Sequence, residues 1–429
     1  MQALLSLSIA IFAGLMLSRL AKVVKLPAVT AYLVAGILVG PYVLGALGIP
    51  GLGFISMEDI KSYSILSDVA LGFIAFSIGN EFRLAQLKKT GRQATVIGIV
   101  QAVFTTALVD AALIGLHFLI PNILPLPSAI ILGAVASATA PAATLMVVRQ
   151  YKSKGPLTDI LLPIVALDDA VGLVLFAVSF GVARALMAGH VDVISIILEP
   201  ILEVAFSLLL GAVMGFLFNF FEQFFHSRSK RIAMSVTFVL FTVALSMLEF
   251  HIGRVHIVFS PLLVCMMLGT IFCNICDFSE ELMDRVDRWT APLFILFFVI
   301  SGAELELAVF KDWLVIAIGL VYITSRCTGK YFGARFSASL TKCDPHIVKY
   351  LGITLFPQAG VALGMAIKAE TLGPEGAIVA NITLFSVLIY ELIGPFLTKI
   401  SLQKAGEITP EGKTSARELH RKEKESRNA

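Results

Sequence analysis

Charge is scarce in this sequence. Of its 429 residues, 33 are Lys or Arg and 30 are Asp or Glu, together 15% of the chain, where a soluble domain carries about a quarter. That deficit excludes a soluble globular enzyme, a disordered protein and a nucleic-acid binder with a basic face. Cysteine is scarce as well: Cys265, Cys273, Cys276, Cys327 and Cys343 lie within or beside apolar stretches, which suits reduced structural thiols rather than a disulfide frame. Cys273 and Cys276 have metal-ligand spacing, but without a second pair no zinc site is expected, and no cofactor is indicated. The apolar start, Met1 to Leu17, has neither a basic residue before it nor a small-residue cleavage site after it, so it reads as a first span rather than a signal peptide.

What is abundant is apolar surface. Hydrophobic residues make up 57% of the chain and the mean hydropathy is +0.89, which places the protein in a lipid bilayer. A spanning helix needs about 20 apolar residues. Runs broken by charge, Gly and Pro predict thirteen spans: 3–21, 28–46, 65–83, 93–119, 126–149, 157–188, 195–222, 231–249, 257–274, 289–307, 313–334, 350–369 and 376–398. The fold class expected is therefore an all-α polytopic membrane protein with no large soluble domain. Lys and Arg fall unevenly between the connections, 18 in the odd-numbered ones against Lys61, Arg184, Arg254, Lys311 and Lys368 in the even-numbered ones. Positively charged loops stay in the cytoplasm. The N-terminus is expected outside, the C-terminus in the cytoplasm and the protein in the plasma membrane, with residues 401–429 a solvated, charged tail.

The chain also repeats itself. Gly79-Asn80-Glu81-Phe82-Arg83-Leu84 and Gly302-Ala303-Glu304-Leu305-Glu306-Leu307 share a Gly-x-Glu-x-x-Leu pattern after a Phe-rich run, 223 residues apart. Leu33 to Gly40 likewise rhymes with Leu262 to Gly269. Seven spans separate each pair, and seven is odd, so the two copies cross the membrane in opposite directions. Such inverted repeats build many secondary transporters. Repeat one is expected over about 3–188, a linker helix over 195–222 and repeat two over 231–398. The same offset sets Ser137 to Pro141 opposite Gly360 to Gly364, so each half is predicted to hold a broken helix whose free backbone groups face a cavity.

Ionisable residues in mid-span are costly and mark function by default. The strongest are adjacent, Asp168 and Asp169 in span 6. On a helix they point about 100° apart, so one can line an aqueous cavity while the other meets a neighbouring helix. A buried carboxylate holds either a proton or a hard monovalent cation, and that competition is sufficient for exchange. Span 11 supplies Arg326 and Lys330, four residues apart on one face. Arg stays charged whereas a buried Lys can lose its proton; either is a candidate partner for Asp168, and a purely structural ion pair is the alternative. Glu391 falls opposite Asp168 under the offset of 223, as a repeat relic or a secondary polar residue. Asp110, His117, Glu199 and Glu203 are taken as structural.

Taken in order, Tyr32 to Pro41, Ser137-Ala138-Thr139-Ala140-Pro141-Ala142, Asp168-Asp169, Gly329-Lys330 and Gln358 to Gly364 resemble the monovalent cation:proton antiporters, in particular their branch with an adjacent Asp pair. The resemblance covers nearly all of residues 1–400. It implies an NhaA-like fold with crossed discontinuous helices, a homodimer and an elevator-like motion. It further implies Asp169 as the cation- and proton-binding carboxylate, Asp168 as its partner, Thr139 with Ser137 as broken-helix ligands, and Lys330 as the core lysine, with Gln358 a secondary polar group. The bound metal would be Na+, held at Asp169 and Asp168. Ala140 stands where some members carry a third acid, and Arg326 matches a core arginine of electroneutral relatives. The partners implied are Na+, or K+ or Li+, with H+ and the lipid bilayer.

The leading expectation is a Na+/H+ antiporter, not an enzyme, with K+/H+ antiport or K+ efflux as the alternative. A remote rival, an intramembrane aspartyl protease, needs its two acids facing each other from different helices, whereas these are adjacent on one.

Overall fold

A computed structural model of the chain describes residues 2–23, 26–49, 51–80, 82–188, 193–248, 250–252, 255–276, 278–305 and 313–408. Lys25, Glu81, Arg254, Glu306, Leu307, Lys311 and the tail from residue 409 onward lie outside these, as do the side chains of Lys88, Lys89 and Glu199.

Every apolar run is helical. In chain order the helices are α1 (Gln2–Val23), α2 (Ala28–Val39), the short α3 (Met57–Lys61), α4 (Ser64–Gly79), α5 (Leu84–Leu119), α6 (Leu126–Val135), α7 (Pro141–Gln150), α8 (Pro156–Ala188) and α9 (Val193–Glu222). They continue with α10 (Arg228–Ser246), α11 (Pro261–Ile275), α12 (Ser279–Glu304), α13 (Trp313–Leu340), α14 (Pro345–Thr354), α15 (Gly360–Ala369) and α16 (Pro374–Lys404). With the five-residue α3 set aside and the pairs α6/α7 and α14/α15 counted as one interrupted span each, these match the thirteen predicted spans. Among the described residues, seven of the helices are long and apolar enough to cross a bilayer. The ends shift where charge is tolerated outside lipid: α12 begins at Ser279, not 289, adding a polar stretch with Glu280, Glu281, Asp284 and Asp287.

Two features depart from expectation. A small antiparallel hairpin pairs β1 (Phe250–Ile252) with β2 (Val255–Ile257) in the connection after α10, where aromatic and β-branched residues alternate as strands favour. The second helix break falls at residues 355–359, ahead of the 360–364 set by the offset. Proline explains the shift. In the first break Pro141 follows the gap as the opening residue of α7, where its missing N–H costs nothing. In the second, Pro357 sits inside the gap and Gly360 opens α15.

The packing has the symmetry of an inverted repeat. Replace each helix by the one seven spans on, and the neighbours are preserved: α2 against α12 becomes α11 against α4. Likewise α5 against α6 and α8 becomes α13 against α14 and α16, while α5 and α13 pack on each other at the centre. Glycines let the crossing backbones meet. A Cβ added to Gly36 would run into the carbonyl oxygen of Val299, and one on Gly302 into that of Leu33; at the symmetric crossing Gly79 meets Met266 and Gly269 meets Phe76.

The connections sort to two ends as the alternation of spans requires. Around the odd-numbered connections, the Ala28 amide donates to Gln150 Oε1 (2.8 Å), Leu84 N–H to Asn274 Oδ1 (2.7 Å) and Gln93 Nε2 to the Thr341 carbonyl (3.1 Å). Arg149 pairs with Asp287 at 2.6 Å. Just past α16, Glu407 caps α8: its carboxylate accepts from the amides of Leu157 (2.6 Å) and Thr158 (2.8 Å) and from the Thr158 hydroxyl (2.6 Å). Gly155 beside this cap has φ +157, and a Cβ there would strike the Glu407 side chain. At the other end the Ser6 hydroxyl donates to the Gly53 carbonyl (3.0 Å) and that of Ser128 to the Glu375 carbonyl (2.8 Å).

Gly79→Val is expected to cost at least the ~1–3 kcal/mol of an overpacked core, because the obstacle is backbone. A methyl group added at Gly115 would meet nothing within 4 Å, so Gly115→Ala is expected to stabilise by ~0.5–1 kcal/mol through helix propensity. Thermal unfolding of the purified variants checks both, and equal midpoints would refute the crossing geometry.

Candidate ion-binding site

The two breaks cross in the middle of the bundle. Ala140 N–H donates to the Pro357 carbonyl at 2.8 Å, joining one gap to the other. A helix that stops in hydrocarbon leaves carbonyls without partners, each a liability of ~1–3 kcal/mol when buried. Here side chains take them up. Arg326, fully buried on α13, donates Nε to Ala136 O (2.9 Å), Nη2 to Ala138 O (2.6 Å) and Nη1 to Phe356 O (2.7 Å). Its guanidinium therefore binds both broken helices at once, and it lies 4.5 Å from the ring centroid of Tyr390. Gln358 Nε2 donates to Val135 O at 2.8 Å and shares its amide with the Tyr322 hydroxyl.

Lys330, one turn beyond Arg326 and also fully buried, donates to Ser137 O (2.6 Å), Thr139 Oγ1 (2.9 Å) and Asp168 Oδ2 (2.9 Å). Of the two candidate partners, it is Lys330 that pairs with Asp168. The Thr139 hydroxyl donates to the same Asp168 oxygen (2.6 Å), while Gln101 Nε2 on α5 donates to the other, Oδ1. Asp168 is thus held by three donors from three elements.

Asp169 differs. It is 1% exposed, and neither carboxylate oxygen has a hydrogen-bond partner among the described residues. One turn along α8, Gly172 lets the first break pack closely: a Cβ there would lie 3.1 Å from Ser137 Oγ. The Ser137 hydroxyl itself donates to Ala134 O (2.7 Å). An apolar cavity of about 250 Å³ runs between α5, α8, α9 and α11, lined among others by Thr95, Ala166, Leu167, Ala170 and Thr270; Asp169 is not part of its lining.

Asp168, Thr139, Ser137, Lys330, Arg326 and Gln358 therefore come together around the crossing, with Asp169 adjoining. Glu391 does not join them. It is buried on α16 with Oε2 unpartnered among the described residues. Asp110 lies on α5 facing Gly133 of α6, and the His117 ring contacts the Leu124 carbonyl (2.8 Å). Gln101 and Tyr322 do not stand out in the sequence. A lone amide or phenol in an apolar run carries no periodic or charge signal, and only its place opposite Asp168 or Gln358 reveals it.

An inverted repeat whose two interrupted helices cross at buried, compensated charges defines a secondary transporter. The chain belongs to the sodium/hydrogen exchanger transmembrane family, whose model matches residues 7–404. It is 22% identical over 398 residues to the K(+)/H(+) antiporter subunit KhtU of Bacillus subtilis (strain 168), covering 90% of each. It is 23% identical over 403 residues to the Na(+)/H(+) antiporter NhaS4 of Synechocystis sp. (strain ATCC 27184 / PCC 6803 / Kazusa), covering 90% of this chain and 93% of the relative. In fold it is similar to two structures of the sodium proton antiporter MjNhaP1 from Methanocaldococcus jannaschii. One, at pH 8, gives a TM-score of 0.64 at 18% identity over 95% of this chain and 97% of that one. The other, an electron-microscopy map, gives 0.71 at 16% identity over 94% and 98%. The protein is a cation/proton antiporter of this family.

The two aspartates should respond oppositely to neutralisation. Asp168→Asn strands Lys330, and breaking a buried pair costs ~3–5 kcal/mol. Asp169→Asn removes a carboxylate that no described residue holds and is expected to leave the unfolding midpoint unchanged or higher. Arg326→Lys keeps the charge but not the fork, and is expected to lower the midpoint by leaving carbonyls open. Thermal unfolding in detergent reads all three; equal losses in the two aspartate variants would contradict the assignment.

Proposed function

We propose that the chain exchanges Na+ for protons, with cation and proton competing for Asp169. The observation that carries this reading is the contrast at the crossing: Asp168, Lys330 and Arg326 are saturated with partners, whereas Asp169 has none among the described residues. An ionised carboxylate without a partner is not sustained in a dry interior. It persists either as the acid or with a cation on it, never with both, and that exclusivity couples the two fluxes. For a hard cation on the Asp169 carboxylate, the candidate further oxygen donors are the Ser137 hydroxyl, which packs against Gly172 one turn along α8, and Thr139 and Asp168 if the Lys330 contact opens. Ala140 offers no third acid.

Pairing of Lys330 rather than Arg326 with Asp168 favours electrogenic exchange. A cation arriving at the aspartates competes with the ammonium, and a displaced Lys can release its proton, which an Arg does not. Arg326 is meanwhile committed to backbone. The sidedness we adopt sets the basic end in the cytoplasm and the N-terminus outside. We assign residues 3–188 and 231–398 to the two repeats, joined through 195–222. K+/H+ exchange is the second reading, favoured by the name of the Bacillus relative, which matches about as well as the Na+/H+ one.

In proteoliposomes, Na+-driven proton movement is expected to vanish in Asp169→Asn, and unchanged exchange would remove Asp169 from the site. Comparing Na+, Li+ and K+ in the same assay reads the cation. The exchange rate is expected to follow an imposed membrane potential, each net charge being worth ~2.3 kcal/mol per 100 mV. A rate indifferent to voltage would mean one-for-one exchange.

A further inference from the structure

Away from the crossing, a groove of about 550 Å³ opens between the last turns of α13 and the start of α14, lined by Tyr331, Arg335, Ser339, Cys343, Pro345, Val348 and Lys349. We propose that it is a binding site for the phosphate of an anionic phospholipid, seated between Arg335 and Lys349. Neither cation has a carboxylate partner among the described residues: Arg335 donates only to the Tyr331 hydroxyl (3.3 Å), and Lys349 lies 5.2 Å from the Tyr350 ring centroid. The nearby Asp344 is engaged, its Oδ1 capping α14 through the His346 amide (2.8 Å). The groove thus presents an Arg fork, an ammonium and the hydroxyls of Tyr331 and Ser339, a donor set suited to phosphate oxygens.

Its position selects a lipid over a free anion. The adjoining stripe of α13, Phe332, Phe336 and Leu340, is 51%, 59% and 64% exposed, so this flank faces acyl chains. The groove wall continues that apolar surface through Pro345 and Val348. It lies at the end where the basic connections gather, the level at which basic pockets between spans recognise anionic headgroups. A phosphate held there would tie α13 to α14 next to where they already touch, since a Cβ on Gly352 would lie 2.6 Å from Tyr331 Cα and 3.0 Å from the Lys330 carbonyl. The lipid would brace the helix that carries Lys330 against the helix that ends in the second break.

The test titrates phosphatidylglycerol, phosphatidylcholine and inorganic phosphate into the full chain in detergent, reading bound lipid by native mass spectrometry and stability by thermal unfolding. Phosphatidylglycerol is expected to bind and raise the midpoint where phosphatidylcholine does not. Each basic residue near an anionic lipid is worth ~1 kcal/mol, so the Arg335→Gln/Lys349→Gln double variant is expected to lose about 30-fold in affinity at 1.4 kcal/mol per tenfold. Ser339→Glu, on an exposed position, is expected to lose binding with the basic pair intact, and covers the case in which the double variant folds poorly. Lys152→Gln, at the same end but outside the groove, is expected to bind as the unmodified chain does. Three results would each overturn the site: no preference for phosphatidylglycerol, full binding in both groove variants, or an equal stabilisation by inorganic phosphate.

Discussion

Two helices stop in the middle of a bilayer, and the cost of doing so organises the rest of this protein. The carbonyls freed at residues 136–138 and at Phe356 have no water to turn to. Arg326 satisfies three of them and Lys330 a fourth. Those two cations, on one face of α13, tie the breaks to the helix beside them. With them, the site acquires positive charge that an acidic group must offset, and Asp168 does so from α8. The central contact of α5 with α13 follows from the same need, because α5 delivers Gln101 to the remaining oxygen of Asp168.

Division of labour between neighbouring carboxylates follows from helix geometry. Consecutive residues diverge by about 100°, so the scaffold that saturates Asp168 does not reach Asp169. One acid is locked into the framework, and its buried neighbour has no hydrogen-bond partner among the described residues. The two carboxylates nonetheless share a backbone, so anything that loosens Asp168 from Lys330 changes the field at Asp169 directly.

Most of this architecture was legible in the sequence, for physical reasons that also mark where legibility ends. Hydropathy sets the spans because the bilayer admits few alternatives, and Asp168, Asp169, Arg326 and Lys330 stood out because charge in a span is rare. The choice of Lys330 over Arg326 was not legible: the two lie one turn apart on the same face, and only the reach of each side chain across the crossing decides it. The second break moved because the offset of 223 assumes equal spacing through the repeat, whereas Pro357 sets the gap locally. Gln101 gave no signal in its apolar run. Glu407 was hidden differently, as one acid in a charged segment that reads as solvated.

That last residue has a practical meaning. The cap on α8 comes from beyond the final span, and Ile408 beside it is only 5% exposed. The folded unit therefore closes on itself through a covalent stretch that topology diagrams would leave out. Truncation points, affinity tags or reporter fusions placed immediately after α16 would be grafted onto the amino end of the helix that carries both aspartates, and belong after residue 408 instead.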